Sequence, residues 1–149
     1  MFISFERAIV LRSDLSELAR LNELFAELAK EQHVSKDQIL AAKLCAHEAI
    51  ANIINYAFED AREHRIDIVV RLTTREISLE ISDEGCPFDP LNTSYPVRRE
   101  AADANVGGQG IHLIRNFSDH LHYERVDGRN RLTISVVREN RPDENRRSG

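Results

Sequence analysis

Apolar positions change their spacing several times along this chain, and each change marks a predicted element. "FISFERAIVL" (2–11) is dense in Phe, Ile and Val and predicts a strand. Over 13–32, Leu15, Leu18, Leu21, Leu24, Phe25 and Leu28 recur every three or four residues, the stripe of an amphipathic helix. Asp14 with Glu17 three residues on forms a capping pair for its start, and Ser35 with Gln38 repeats that signal before a second helix over 36–58. The period then falls to two. "RIDIVVRLT" (65–73) and "EISLEISD" (76–83) alternate apolar with polar residues, which predicts two strands with one covered face, joined by "TTRE" in a tight hairpin.

Neither period holds from Glu84 to Val106, where Pro87, Pro90, Pro96 and the run "NTSYP" predict a loop with a short helix around Arg98 to Ala104. A loop of this length in a compact domain is typically a lid or binding loop. "GGQGIHLIRNFSD" (107–119) reads as a glycine turn feeding a helix; "HLHYERVD" and "NRLTISVVR", joined by "GRN", read as a closing hairpin. Strands and helices in this order bury every apolar stripe as an α+β two-layer sandwich, a mixed, mostly antiparallel sheet with helices on one face. The expected domain is 1–138, followed by a polar tail, 139–149, expected to be disordered.

Bulk numbers narrow the function classes. The 149 residues suit one core, and 42% hydrophobic with 30% charged residues describes a folded chain. A net charge of -5 argues against a nucleic-acid partner bound through phosphates. No apolar run approaches the roughly 20 residues of a membrane span, and the N-terminus lacks a signal-peptide pattern, so the expected location is the cytoplasm. Cys45 and Cys86 stand far apart, in neither a disulfide framework nor a metal spacing. Cys45 reads as core; Cys86 lies in the long loop. His120 and His122 alternate on a strand without a third ligand at metal spacing and read as surface histidines.

Three stretches hold candidate chemistry. In "HEAIANIINYAF" (47–58), Glu48, Asn52 and Asn55 interrupt an otherwise apolar helix, and Glu48 and Asn52 lie one turn apart on the same face. An amide oxygen suits Mg²⁺, which keeps waters and takes phosphate oxygens as its other ligands, and a nearby carboxylate can accept a proton. The ordinary alternative is a solvated stripe. In "DEGCPFDP" (83–90), Asp83 ends a strand where it can accept from an exocyclic amine, and Gly85 permits a close approach; the alternative is a plain turn. In "GGQG" (107–110), free backbone N–H groups opening a helix suit an anion, or form a hinge. The last is neither a P-loop nor a Rossmann fingerprint.

The order of these pieces is more specific than any one of them. "EAIANIINYAF", "DEGCPFDP" and "GGQGIHLIRNFSDHLHYER" with "NRLTI" resemble the N-box, the two glycine boxes and the closing strand of the GHKL ATPase superfamily. The likeness is closest to its small single-domain branch, the bacterial anti-sigma-factor serine-protein kinases, and runs from about the first strand to Arg138. It implies the Bergerat-type ATP-binding fold, ATP and Mg²⁺ as cofactors, and protein serine kinase activity toward an anti-sigma-factor antagonist. A sigma factor would be the sequestered partner and a homodimer the assembly.

On named positions, the resemblance implies that Asn52 coordinates Mg²⁺ against the ATP phosphates and that Glu48 is the general base for a serine hydroxyl. Asp83 would bind the adenine amino group, with Gly85, Phe88 and Thr133 around the base. Gly108, Gln109, Gly110 and Ile111 would close over the phosphates, and the 84–106 loop would be the ATP lid. Two positions depart from the pattern. Val106 stands where some kinases of the branch have an arginine, and Tyr56 where many relatives have a basic residue; both remove positive charge from the phosphates. Arg98 or Arg99 in the lid would be the substitutes. The alternative function is a nucleotide-binding module that sequesters a partner without phosphotransfer. A two-component histidine kinase catalytic domain and a clamp-type ATP hydrolase fit the expected length less well.

Overall fold

The computed structural model describes residues 2–31, 34–91 and 113–138. Five strands form one sheet in the order β1-β2-β3-β5-β4, where β1 is Ile3–Arg12, β2 Arg65–Thr73, β3 Glu76–Asp83, β4 His120–Val126 and β5 Arg129–Val137. Every described pairing is antiparallel, so the sheet is not mixed in this part of the chain. The last strand enters between the hairpin β2–β3 and its own neighbour β4. That insertion sets Asp83 directly opposite Asn130.

Alternation decides which residues point to the core. Ile66, Ile68, Val70 and Leu72 on β2, Ile77, Leu79 and Ile81 on β3, and Leu132, Ile134 and Val136 on β5 are all buried on one face. Two helices cover that face, α1 (Leu18–Leu28) and α2 (Lys36–Tyr56). Leu21, Leu24, Phe25 and Leu28 of α1 and Ala42, Cys45, Ala46, Ala49 and Ile50 of α2 pack into the same core. Each large side chain buried there contributes roughly 1.5–3 kcal/mol. The small residues on α2 allow the helix to lie close to the sheet.

The helix starts differ from one another. Ser35 accepts a hydrogen bond from the Gln38 N–H at 3.1 Å, the expected cap of α2. Asp14 instead accepts from the Ser16 N–H at 2.9 Å and opens a short 3₁₀ turn, Leu15–Glu17, so the α-helix proper begins at Leu18. The expected helix over 13–32 is thus shorter and tighter at its start. The β4–β5 turn is Asp127–Gly128, both with positive φ (51° and 74°), the two-residue geometry that matches strand twist, rather than "GRN".

On the face away from the helices, a line of alternating charge crosses all five strands. Glu6, Arg71, Glu80, Arg131 and Glu124 follow one another at 2.9, 3.3, 3.6 and 3.2 Å. Partly solvated pairs of this kind are worth about 0.2–1 kcal/mol each, so they keep the open face polar more than they hold the fold. Residues 113–117 are helical, and the Cys45 thiol lies 3.9 Å from the Ile114 carbonyl oxygen. Burial pushes that thiol up to about 11, the behaviour of an inert core cysteine. The expected helix around 98–104 and the expected tail lie outside the described residues.

Candidate functional site

Where α2 ends over β3 and β5, a narrow cavity is lined by Ala49, Asn52 and Ile53 of the helix, Ile81 and Asp83 of β3, and Leu132 and Asn130 of β5. Phe88 and Pro90 of the loop after β3, with Tyr123 of β4, complete it. The free space is about 20 Å³, enough for about one water and too little for a purine. A larger cavity of about 390 Å³ is lined by Phe58, His64, Arg65, Asp67, Glu84 and Arg129. Its charges are spent on one another: Asp67 binds Arg65 and Arg129, and Arg129 also binds Glu84. The narrower cavity, by contrast, contains polar atoms with capacity to spare.

Asn52 is one of them. Its side chain is only 7% exposed, yet its Nδ2 has no hydrogen-bond partner among the described residues. A buried amide left unpaired costs on the order of 1–3 kcal/mol, and this one is a donor able to bond a ligand in the cavity. Glu48, one turn earlier on α2, is half-buried, makes no hydrogen bond or ion pair within the described residues, and is not on the cavity lining. Asn55 is exposed and points away.

Asp83 is the second. It is 2% exposed, and its Oδ1 accepts from the Gly85 N–H at 2.8 Å and from the Asn130 side-chain NH₂ at 3.0 Å. No described residue bonds its Oδ2. Gly85 serves a different contact from the one expected of it. A Cβ there would lie 2.6 Å from the Ala57 carbonyl oxygen and 2.8 Å from Ala57 Cβ, so its bare backbone lets the loop pass under the end of α2. The Cys86 N–H then donates to that same Ala57 oxygen at 2.9 Å.

Thr133 is a correction. It is predicted beside the base, but the cavity and the apolar core take Asn130, Leu132, Ile134 and Val136 of β5, and Thr133 lies at the alternate parity, paired across strands with Glu80 and His122 and absent from the cavity lining. Strand parity places Asn130 and Leu132 in the cavity instead. Asn130 and Tyr123 are residues that sequence reasoning missed. The signal was present: the inward alternation of Leu132, Ile134 and Val136, extended two residues back, makes Asn130 an inward polar residue at a strand start.

Tyr56 stacks against Phe88, with ring centroids 6.2 Å apart and planes 17° from parallel. The position that departs from the family's basic residue thus forms an aromatic wall with a lining residue. Gly108, Gln109, Gly110 and Ile111, together with Val106, Arg98 and Arg99, lie outside the described residues. His120 and His122 are exposed, and no cluster of three or more His, Cys, Asp or Glu side chains able to hold a metal occurs among the described residues. A metal at this site would therefore depend on Asn52 and on phosphate oxygens and waters, the ligand set that suits Mg²⁺. The orphaned Asn52 NH₂ is a donor and fits phosphate oxygens, while a metal beside them would be held through Asn52 Oδ1.

The fold and site can now be set beside known proteins. The family described as histidine kinase-like ATPase domain matches residues 11–136. A serine/threonine-protein kinase, BtrW, of Bordetella bronchiseptica is 43% identical over 93 residues, which are 62% of this chain and 66% of that relative, just under two thirds of its length. A serine-protein kinase, RsbW, of Listeria innocua is 25% identical over 127 residues, covering 81% of this chain and 80% of the relative. An anti-sigma F factor of Clostridium botulinum is 27% identical over 109 residues, covering 69% and 76%. Among solved structures, the histidine kinase domain of a blue-light activated histidine kinase from Erythrobacter litoralis superposes with a TM-score of 0.53 at 14% identity, over 83% of this chain and 60% of that one. That last likeness concerns the fold alone.

Proposed function

Because the chain belongs to the histidine kinase-like ATPase family, we propose that it is an ATP- and Mg²⁺-dependent protein serine kinase that also sequesters a sigma factor. Its substrate is a serine hydroxyl on an anti-sigma-factor antagonist. The names of its relatives, two serine or serine/threonine kinases and an anti-sigma factor, support the two halves of this reading. The observation that carries it is the buried, unpaired Asn52 amide in the same cavity as the half-used Asp83 carboxylate.

In this reading Asp83 Oδ2 accepts from the adenine amino group, and the cavity walls Ile53, Ile81 and Leu132 take the ring faces once Phe88 and Pro90 move aside. Asn52 would hold Mg²⁺ through its Oδ1 and donate to the phosphates through its Nδ2. The metal, when bound, neutralises phosphate charge that would otherwise repel the incoming oxygen. Glu48, whose side chain has no partner among the described residues, accepts the proton of the attacking serine hydroxyl. The new bond joins the serine oxygen to the γ-phosphorus, the bond from γ-phosphorus to the bridging oxygen breaks, and ADP leaves with that electron pair. Gly108, Gln109, Gly110 and Ile111 would supply the phosphate-binding backbone that the resemblance implies. The protein works in the cytoplasm as a homodimer.

A second reading is favoured by one observation: the described lining of the cavity contains no Lys or Arg. A nucleotide-gated binding module that switches partners without phosphotransfer would need none. The two readings separate in one experiment. Phosphate transfer from labelled ATP with Mg²⁺ to a candidate antagonist is measured for wild type, Glu48→Ala and Asn52→Ala, beside ATP binding by calorimetry. The kinase reading expects transfer by wild type, its loss in Glu48→Ala with ATP binding kept, and loss of both in Asn52→Ala. Tight binding without any transfer would leave the binding module, and no ATP binding would remove both.

A further inference from the structure

Asn130 is 4% exposed and uses every hydrogen-bonding position an amide has. Its NH₂ donates to Asp83 Oδ1 at 3.0 Å and to the Cys86 carbonyl oxygen at 2.8 Å. Its Oδ1 accepts from the Tyr123 hydroxyl at 2.5 Å, Arg125 Nη1 at 3.1 Å and the Phe88 N–H at 3.2 Å. Arg125 Nη1 also donates to the Gly85 carbonyl oxygen at 2.7 Å. These partners fix the amide's orientation: turned over, its NH₂ would face two N–H donors, while its oxygen would face a carboxylate and a carbonyl. One side chain on β5 therefore ties the carboxylate on β3, the backbone of residues 86–88 and two side chains of β4.

Its effect on Asp83 is chemical as well as mechanical. With Gly85 N–H and Asn130 NH₂ both on Oδ1, the plane of the carboxylate is set and only Oδ2 is left to face the cavity. Both donors are neutral and both sit on Oδ1, so Oδ2 is left as an acceptor. A ring edge that presents an amino group satisfies it. A ring edge that presents a carbonyl oxygen sets lone pair against lone pair, and a buried mismatch of that kind is strongly rejected.

We propose that Asn130 is a positioning residue for the nucleobase, acting through Asp83 so that a 6-amino purine is taken in preference to a 6-oxo purine. The inference rests on the nucleotide-binding reading above and adds to it the residue that sets base selectivity. Replacing Asn130 with Asp keeps the shape but removes both donors and puts a second carboxylate 3.0 Å from Asp83 Oδ1. Arg125 Nη1 and the Tyr123 hydroxyl, which face position 130, would hold the new carboxylate as an acceptor, so no donor toward Asp83 Oδ1 remains.

The test is calorimetric affinity for ATP and for inosine triphosphate, whose ring carries a 6-oxo group, with wild type and Asn130→Asp at pH 7.5 and 5.5. Wild type is expected to prefer ATP by about 10-fold or more. In Asn130→Asp that ratio falls toward one at both pH values. A merely structural role would weaken both nucleotides together, and an unchanged ratio at both pH values overturns the inference while leaving nucleotide binding intact. Should the Asp variant fail to fold by circular dichroism, Asn130→Ser is read for the same ratio, expected to narrow at both pH values; an unchanged ratio there overturns the inference equally. A wild type that binds neither nucleotide removes the binding reading and this inference together.

Discussion

Asp67 on β2 and Asp83 on β3 lie at the same end of the sheet, where Ile66 pairs with Asp83, yet they face opposite ways and are held by opposite means. Asp67 looks out of the open face and is clasped by two guanidinium groups: Arg65 at 2.8 Å on Oδ1 and Arg129 at 2.6 Å on Oδ2. Asp83 looks inward and is held on one oxygen only, by a backbone N–H and a neutral amide. The difference shows how a carboxylate is kept for a ligand. A cation would occupy and neutralise it, as Arg65 and Arg129 do to Asp67. Neutral donors on a single oxygen orient the group and leave its second oxygen available.

Exchanging each aspartate for asparagine should separate the two most sharply. Asp83→Asn puts an NH₂ or a weaker acceptor where the charge stood, and hydrogen bonds to charged groups are worth about 1.5–3 kcal/mol. ATP affinity measured by calorimetry should fall by roughly 10- to 100-fold. Asp67→Asn should leave it within about 2-fold, since its contacts are made on the other face. Equal losses in the two variants would mean that the open face and the cavity act as one site, and the comparison would collapse.

Gly85→Ala tests the support beneath Asp83 rather than the carboxylate. The added methyl would meet Ala57 backbone at 2.6 Å and Asp83 Oδ1 at 2.8 Å, and neither neighbour is the free end of a flexible chain. Overpacking of this kind costs about 1–3 kcal/mol, read as a lower urea midpoint at unchanged slope. A midpoint equal to wild type would show that the loop can leave α2 at no cost.

Much of this site was legible in the chain because local signals coincide with it. Asn52 falls on the inward face of an apolar helix through helical spacing alone, and Asp83 falls at the end of an alternating strand; Glu48, read with them, is not on the cavity lining. Asn130 escaped because its importance depends on β5 entering the sheet beside β3, a long-range pairing between residues 47 apart that no local period encodes. Thr133 was misassigned for a related reason. A motif matched by residue type does not count parity, and one residue of slip turns a side chain through the sheet. The 3₁₀ start of α1 was hidden because Asp14 bonds Ser16 instead of the residue a turn further on, a choice between two capping geometries that use the same residues.

The smallest effect should come from acid, and its sign follows from how Asp67 is held. Burial raises the carboxyl's proton affinity, but hydrogen bonds and charge from Arg65 and Arg129 outweigh it and hold the group below the ordinary carboxylate value of 3.8. A native value depressed in this way means the arginines' contribution is complete above the ordinary value and is lost as pH falls below it, through the native one. Asp67→Asn removes that contribution at neutral pH, where it amounts to about 0.2–1 kcal/mol for a partly solvated cluster. Urea midpoints of wild type and variant should therefore differ slightly at pH 7 and converge as the pH drops below the ordinary carboxylate range. A gap that stays constant into acid would assign the difference to packing of the side chain, and the two arginines would then be neighbours of Asp67 rather than the reason its charge is favoured.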